Sequence, residues 1–309
     1  MRSELRKDYI QEKYVIIAPH RGKRPHDMAR SERIKQFRSA TCVLCPEHWQ
    51  KDLIIQYFGR FPKPDFGVLK NPFPAVSIDN PKAYGTQEVI VETPDHEREL
   101  DELPIKHIAR LLEVYAARTK EISKNKKIEY ILIFKNTGGR AGATLVHSHS
   151  QIFATDFVPP HLFDKSQRVQ AYKLTHGSCV YCDVIKKERK GPRLIYEDKY
   201  VIAFCPYASI HNYEAWILPK RHLDNIIILN RAERYSWAKI LKRILARINK
   251  LDLPYNYYFH QTIFDEDQHL YMKIVPRGSV WAGVEIGSGI VINPISPEEA
   301  AKYYRSHNT

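Results

Sequence analysis

Two cysteine pairs, Cys42-Val43-Leu44-Cys45 and Cys179-Val180-Tyr181-Cys182, each followed by spaced histidines, limit the fold of this chain more than any other feature. Paired cysteines at this spacing, outside a disulfide-rich secreted context, point to metal ligation, and two such pairs with histidines behind them point to two tetrahedral Cys₂His₂ zinc sites. The fifth cysteine, Cys205 before Pro206, reads as a small apolar core residue. The pairs also mark an internal repeat. QEVIVETPDH (87–96) aligns with YEAWILPKRH (213–222), and both read as a glutamate, an apolar strand, a proline and a histidine. YILIFKN (130–136) and YNYYFHQ (255–261) precede the last histidine of each half, His147 and His269, and NPFPAVS (71–77) has its counterpart in CPYASI (205–210). Between these strands, residues 103–123 and 231–251 carry apolar positions at three-and-four spacing with charged faces, as amphipathic helices do. The pattern predicts an α+β fold made by tandem duplication, with mainly antiparallel sheets and one long helix per half. A polar helix at about 161–174 gives way to Gly177, which sets the expected domains at 1–176 and 177–309.

A chain of 309 residues with 43% hydrophobic residues can bury two cores without disulfide staples. Its N-terminus is charged throughout and no apolar run approaches the roughly 20 residues that span a bilayer, so a cytoplasmic protein with no membrane partner is expected. The net charge of +13 suits anionic partners, and equally a solvated surface rich in Lys and Arg. A zinc-dependent nucleic-acid-binding protein would satisfy both the charge and the cysteines. Nucleic-acid fingers, however, place their Cys and His pairs about 12 residues apart, and the gaps here are several-fold longer; no nucleic-acid partner is expected.

The stretch LVHSHSQIFAT (145–155) carries three polar residues in an apolar run. Strand alternation puts His147, His149 and Gln151 on one face, a pattern that by itself also fits an ordinary polar strand face. The repeat discriminates. In the second half, His147-Ser148-His149-Ser150-Gln151 is replaced by His269-Leu270-Tyr271-Met272-Lys273, so the presumed ligand persists while the other two polar residues do not. His147 then joins Cys42, Cys45 and His96 as a metal ligand; His222 and His269 join Cys179 and Cys182. His149 serves something that the first half alone requires. Closed Cys₂His₂ sites keep no open position for substrate, so both zinc ions are structural. Upstream, KNTGGRAGAT (135–144) supplies glycines that let backbone N–H groups approach phosphate oxygens, with Asn136 and Thr144 as further donors. A neutral imidazole attacking phosphorus gives a phosphoramidate and splits one transfer into two displacements, with Gln151 placed to donate to a phosphoryl oxygen.

With IIAPHRGKRPHD (16–27), CVLC, NPFPA, PDH, FKNTGGRAGATLVHSHSQ (134–151), SCVYC, ILPKRH, QHLYMKIVPR (268–277) and GVEIGSGIVINP (283–294) in order, nearly the whole chain resembles the galactose-1-phosphate uridylyltransferases of the histidine-triad superfamily. It also resembles their two-zinc relatives akin to ADP-glucose phosphorylase. The resemblance implies two histidine-triad-like domains, the first catalytic and the second degenerate. It implies a ping-pong transfer between UDP-glucose or UDP-galactose and hexose 1-phosphates in galactose metabolism, through a uridylylated His149 that Gln151 stabilises. Arg21 and Arg24 match arginines near the nucleotide, Asn71 and Phe73 the nucleoside segment, Asn136 and Thr144 phosphate contacts, and Glu285 a glutamate that bonds the hexose. A homodimer is implied. Val284 departs from the aromatic residue of the bacterial enzymes, which leaves the hexose open. Tyr271 and Lys273 replace the histidines of their second-half iron site, so no iron is expected. Because the two-zinc relatives include an enzyme that transfers AMP, an ADP-glucose phosphorylase-like adenylyltransferase using the same histidine is the alternative.

Overall fold

Period-two alternation and long apolar helix faces place their residues as the sequence suggests, and they also decide which side of the sheet stays open. The structure is a computed structural model that describes residues 2–23, 39–263 and 265–306. Strands β1 (Glu4–Lys7) and β2 (Tyr14–Ile17) are followed by β3 (Ile54–Arg60), β4 (Lys63–Lys70) and β5 (Gly85–Val91), then helix α1 (Ile105–Ile122), β6 (Tyr130–Thr137) and β7 (His149–Thr155). Helices α2 (Pro160–His176) and α3 (Val180–Glu188) lead into β8 (Leu194–Glu197), β9 (Val201–Phe204), β10 (Ala215–Pro219), α4 (Arg231–Lys250), β11 (Tyr255–His260) and β12 (Tyr271–Pro276). The chain ends with α5 (Gly283–Ser288), β13 (Val291–Asn293) and α6 (Pro297–Arg305).

One ten-stranded sheet runs in the order β3-β4-β5-β7-β6-β11-β12-β10-β9-β8, antiparallel throughout. The order is palindromic: each strand of the first half has its counterpart at the mirrored position in the second, with β6 and β11 joined at the centre. A small sheet, β1-β2-β13, ties the N-terminal segment to the C-terminal one. The fold is thus α+β and mainly antiparallel, with one long central helix, α1 or α4, in each half. Among the described residues no helix is long and apolar enough to cross a membrane.

Both long helices lie on the same face of the sheet and pack against each other. Ile108, Leu111, Leu112 and Tyr115 of α1 and Trp237, Leu241, Ile244 and Ile248 of α4 meet Ile131, Ile133, Ile152, Tyr257 and Ile274 of the strands. Burying each such side chain stabilises the fold by about 1.5–3 kcal/mol. α4 begins where Asn230 caps it: its Oδ1 accepts from the Glu233 N–H at 3.0 Å, and the Glu233 carboxylate accepts from the Asn230 N–H at 2.8 Å.

The opposite face differs between the halves. Over the second half, α2 and the segment around Tyr9 close the surface, although α2 precedes the expected boundary at 176. The Lys165 amine donates to the Tyr271 hydroxyl and lies 3.5 Å from His260 Nδ1, while His260 and Trp216 stack on the Tyr271 ring. Burial pushes the Lys165 ammonium well below its ordinary range. The position equivalent to His149 is therefore filled by a sealed Tyr271–Lys165 contact. Tyr271→Phe leaves that buried amine short of an acceptor, and the expected outcome is a loss of about 1–3 kcal/mol of stability, read from denaturant midpoints.

Candidate active site

On the open face of the first half, alternation brings His149 and Gln151 of β7 together with Phe134 and Asn136 of β6. β7 starts at His149, so His147 does not share the strand face that alternation over 145–155 predicts. Its imidazole Nε2 donates to the Thr93 carbonyl at 2.8 Å, and this turns Nδ1 of the fully buried ring toward Cys42 and Cys45.

Hydrogen bonds to backbone groups fix the chemistry of both residues. His149 Nδ1 lies 2.8 Å from the His147 carbonyl oxygen, which only accepts, so Nδ1 carries the proton and Nε2 keeps the lone pair. Nε2 has no hydrogen-bond partner among the described residues. Burial, and next the Lys135 cation, hold this imidazole below its ordinary pKa, so it is neutral. Gln151 is oriented by the same logic. Gln87 Oε1 accepts from the Ala75 N–H at 3.1 Å, so Gln87 Nε2 is the donor to Gln151 Oε1 at 2.8 Å. Asn71 Oδ1 accepts from the Phe73 N–H at 2.9 Å and its amide also faces Gln151 Oε1, at 3.5 Å. The Gln151 NH₂ is left to point outward as a donor beside a nucleophilic nitrogen.

Beneath this strand, on the helix face, lies a buried charged network that sequence reasoning missed. Lys135 Nζ donates to Glu92 Oε2 at 2.7 Å, to Ser148 Oγ at 2.9 Å and to the His149 carbonyl at 3.3 Å. The Tyr115 and Tyr257 hydroxyls reach Glu92 Oε1 at 3.1 and 3.2 Å. Lys135 and Glu92 are 1% and 0% exposed, and each holds the other charged: Glu92 is shifted down and Lys135 up by their attraction, against burial.

Cys42, Cys45, His96 and His147 place their ligand atoms within 4.8 Å of one another. Sulfur-to-nitrogen distances are 3.5 Å for Cys45 to His96 and to His147, and 3.7 Å for Cys42 to His147. Bonds of about 2.3 and 2.0 Å in a tetrahedron set sulfur and nitrogen about 3.5 Å apart, so this donor set fits a four-coordinate metal. In the second half Cys179, Cys182 and His222 converge in the same way, while the expected fourth residue, His269, stands beside them with its ring 5.1 Å from that of His222. His269 Nδ1 donates to the Leu270 carbonyl at 2.9 Å, which leaves Nε2 a buried lone pair without a partner. The expected four-residue set is therefore three here: neither ring nitrogen of His269 comes within 4.8 Å of all three, because its Nδ1 is turned to the Leu270 carbonyl.

The other expected residues divide. Asn71 and Asn136 lie at the site, Phe73 is 89% exposed beside it, and Thr144 is exposed on the glycine-rich loop. Gly138 and Gly142 of that loop adopt φ of 84° and 86°, which side chains disfavour, and a Cβ on Gly138 would come within 2.9 Å of Pro254. Arg21 and Glu285 come near each other beside the small sheet, where Arg21 helps hold the Glu285 carboxyl below its ordinary pKa after the Ala282 N–H that it accepts from. Neither bonds to His149 or Gln151 among the described residues. Glu285 sits on α5 rather than in a turn. Arg24 lies outside the described residues. Gln87 and Asn256 belong to the site as well; alternation within their strands marks both as facing residues, but only the strand register shows what they face.

Comparisons with known proteins give the family. A family model, "Galactose-1-phosphate uridyl transferase, N-terminal domain", matches residues 1–159. The chain is 31% identical to ADP-glucose phosphorylase of Arabidopsis thaliana, over 98% of this chain and 92% of that protein. It is 30% identical to galactose-1-phosphate uridylyltransferase of Thermotoga maritima, over 98% of each. The crystal structure of the Arabidopsis ADP-glucose phosphorylase with bound ADP-glucose superposes with a TM-score of 0.86 and 29% identity, covering 100% of both chains. With such matches along nearly its whole length, the chain belongs to the galactose-1-phosphate uridyl transferase family of nucleotidyltransferases.

Proposed function

We propose that this protein transfers a nucleoside monophosphate between a nucleotide sugar and a phosphate acceptor through a covalent adduct on His149, as a UDP-glucose:hexose-1-phosphate uridylyltransferase. The observation that carries the reading is the His149 tautomer: Nδ1 is tied to the His147 carbonyl, and the free Nε2 lies on the same face as the Gln151 amide. Nε2 attacks the α-phosphorus, a P–N bond forms, the bond to the bridging oxygen breaks, and hexose 1-phosphate leaves with the electron pair. A phosphate oxygen of the incoming acceptor then attacks the same phosphorus and returns the pair to Nε2. The Gln151 NH₂ donates to the non-bridging oxygen where charge develops. Asn71 and Phe73 would border the nucleoside, and Arg21, Arg24, Asn136, Thr144 and Glu285 the phosphates and sugar, some of them across a homodimer. Exposed Phe73 (89%), Val280 (75%) and Ile286 (74%) suit such an interface.

Zinc suits both donor sets: Cys42, Cys45, His96 and His147 would hold one ion, and Cys179, Cys182, His222 and His269 the other. When bound, zinc supplies structural cross-links rather than a reactive centre, because four protein ligands fill its coordination. A second reading, adenylyl transfer from ADP-glucose to orthophosphate, is favoured by the likeness to ADP-glucose phosphorylase and by the second Cys/His cluster.

Incubation with UDP-glucose or ADP-glucose without acceptor, followed by intact-mass measurement, is expected to show a UMP adduct on the wild type and none on His149→Ala. Turnover in that variant should fall by a factor on the order of 10³ or more, with melting unchanged. An AMP adduct would select the adenylyl reading, and no adduct from either donor would sink both. His147→Ala should lose about one zinc per chain by elemental analysis and melt earlier; full zinc content would contradict its role as a ligand.

A further inference from the structure

One strand over from Gln151, on the same open face, the centre of the sheet holds a cavity of about 240 Å³ whose walls include Phe134, Asn136, Tyr258, His211 and Arg277. Arg277 follows the last residue of β12, and its backbone N–H donates to the Pro254 carbonyl at 2.7 Å. Its guanidinium makes no hydrogen bond or ion pair among the described residues. That sets it apart from Arg6, Arg118 and Arg193, which all pair with glutamates. Glu214, the acid whose charge acts on both His211 and Tyr258, is already committed: it accepts from the Trp216 indole at 2.8 Å and from the Ile210 and His211 N–H groups at 2.9 and 3.2 Å, and lies 3.8 Å from Lys273. The cavity therefore keeps surplus positive charge.

Two of its other polar walls, Asn136 and Tyr258, add donors. Asn256 Nδ2 donates to the Ala141 carbonyl and to Asn136 Oδ1, each at 2.7 Å, so the Asn136 NH₂ is the end left to face the cavity. Burial raises the Tyr258 pKa, which keeps its O–H as a donor. A guanidinium, an amide NH₂ and a phenol around one cavity suit a phosphate dianion. The register fixes where that anion would lie. Phe134 pairs with Gln151 on one side and with Tyr258 on the other, and Asn256 pairs with Val275. With strands about 4.8 Å apart, the cavity begins about 5 Å from the Gln151 strand and ends about 14 Å from it. Its near edge, at Phe134 and Asn136 on the strand beside Gln151, is within reach of the phosphate next to an α-phosphorus held at His149.

We propose that Arg277, with Asn136 and Tyr258, binds the phosphate of the leaving and incoming substrate: the monoester of a sugar 1-phosphate or orthophosphate itself. This rests on the nucleotidyl-histidine reading above and extends it to Arg277 and Tyr258, residues to which the sequence alone assigns no role.

Calorimetric titration of the full chain with inorganic phosphate and with glucose 1-phosphate tests binding directly. In Arg277→Gln the Kd of whichever probe binds the wild type should rise about 10-fold or more. Arg277→Lys should recover part of the loss, and Tyr258→Phe, which removes one hydroxyl from a buried ring, should cost about 2- to 10-fold. Tighter binding of one probe by the wild type identifies the acceptor. On protein first loaded with the His149 adduct, the acceptor concentration for half-maximal discharge should rise by the same factor in Arg277→Gln. Equal Kd values in wild type and Arg277→Gln, binding of neither probe, or discharge that saturates at an unchanged concentration would overturn the proposal. Failure of the wild type to form any adduct would instead sink the nucleotidyl reading, and the titrations would still judge the cavity.

Discussion

The interaction on which the site depends is the buried ion pair of Lys135 and Glu92. A lysine and a glutamate without solvent are tolerated only when every charge-bearing atom is matched, and breaking such a pair by removing one partner typically costs about 3–5 kcal/mol. Here the matching is what assembles the region. Lys135 comes from β6, Glu92 from the end of β5, Ser148 and the His149 carbonyl from the entry to β7, Tyr115 from α1 and Tyr257 from β11. Five elements from both halves meet at one point, directly behind the backbone of His149. The imidazole in front is positioned by the charge behind, and the Lys135 cation also helps keep it unprotonated.

The palindromic sheet explains why one chain carries two similar halves and one open site. Joining β6 to β11 makes a single continuous face across both halves, with the helices on the other side. Two equivalent concave places result. The first presents His149 and Gln151; the second is closed by α2, whose Lys165 amine lies on Tyr271. The second half keeps its Cys/His cluster and its helix, the parts that hold the sheet, and gives its outer face to packing. The cavity bounded by Arg277 lies at the seam, where both halves contribute walls, so the second half still supplies groups to the first half's site.

Much of this was legible in the sequence because the informative signals are local or repeated. Apolar spacing placed α1 and α4 within a residue or two of their ends, and the CxxC pairs with PDH and HSHSQ marked the first four-ligand cluster. Comparing His149 with Tyr271 set His149 apart from His147, which lies in the Cys/His cluster while His149 does not, without reference to any other protein. What escaped depends on register and on distant partners. Gln87 and Gln151 are 64 residues apart and meet diagonally only because Val89 pairs with Gln151. Lys135 reads as one more strand lysine until Glu92 is seen beneath it. The docking of α2 over the second half has no signature in α2 itself, where a buried Lys165 reads as surface charge.

The polarity of the site is set by backbone groups more than by side chains. A carbonyl can only accept and an N–H can only donate, so each side chain tied to one has its other end assigned. His147 O leaves the lone pair on His149 Nε2; Ala75 N, through Gln87, makes Gln151 a donor; Ala141 O, through Asn256, makes Asn136 a donor. Three orientations therefore follow from three main-chain atoms in the segments that flank the strands: before β7, between β4 and β5, and in the glycine-rich loop. This accounts for the positive φ of Gly138 and Gly142: the loop must curl tightly enough to bring the Ala141 carbonyl onto Asn256, and a side chain at Gly138 would meet Pro254 first. Rigid main chain, not the catalytic side chains themselves, is what makes a neutral histidine and two amides act as an ordered acceptor–donor array for phosphate chemistry.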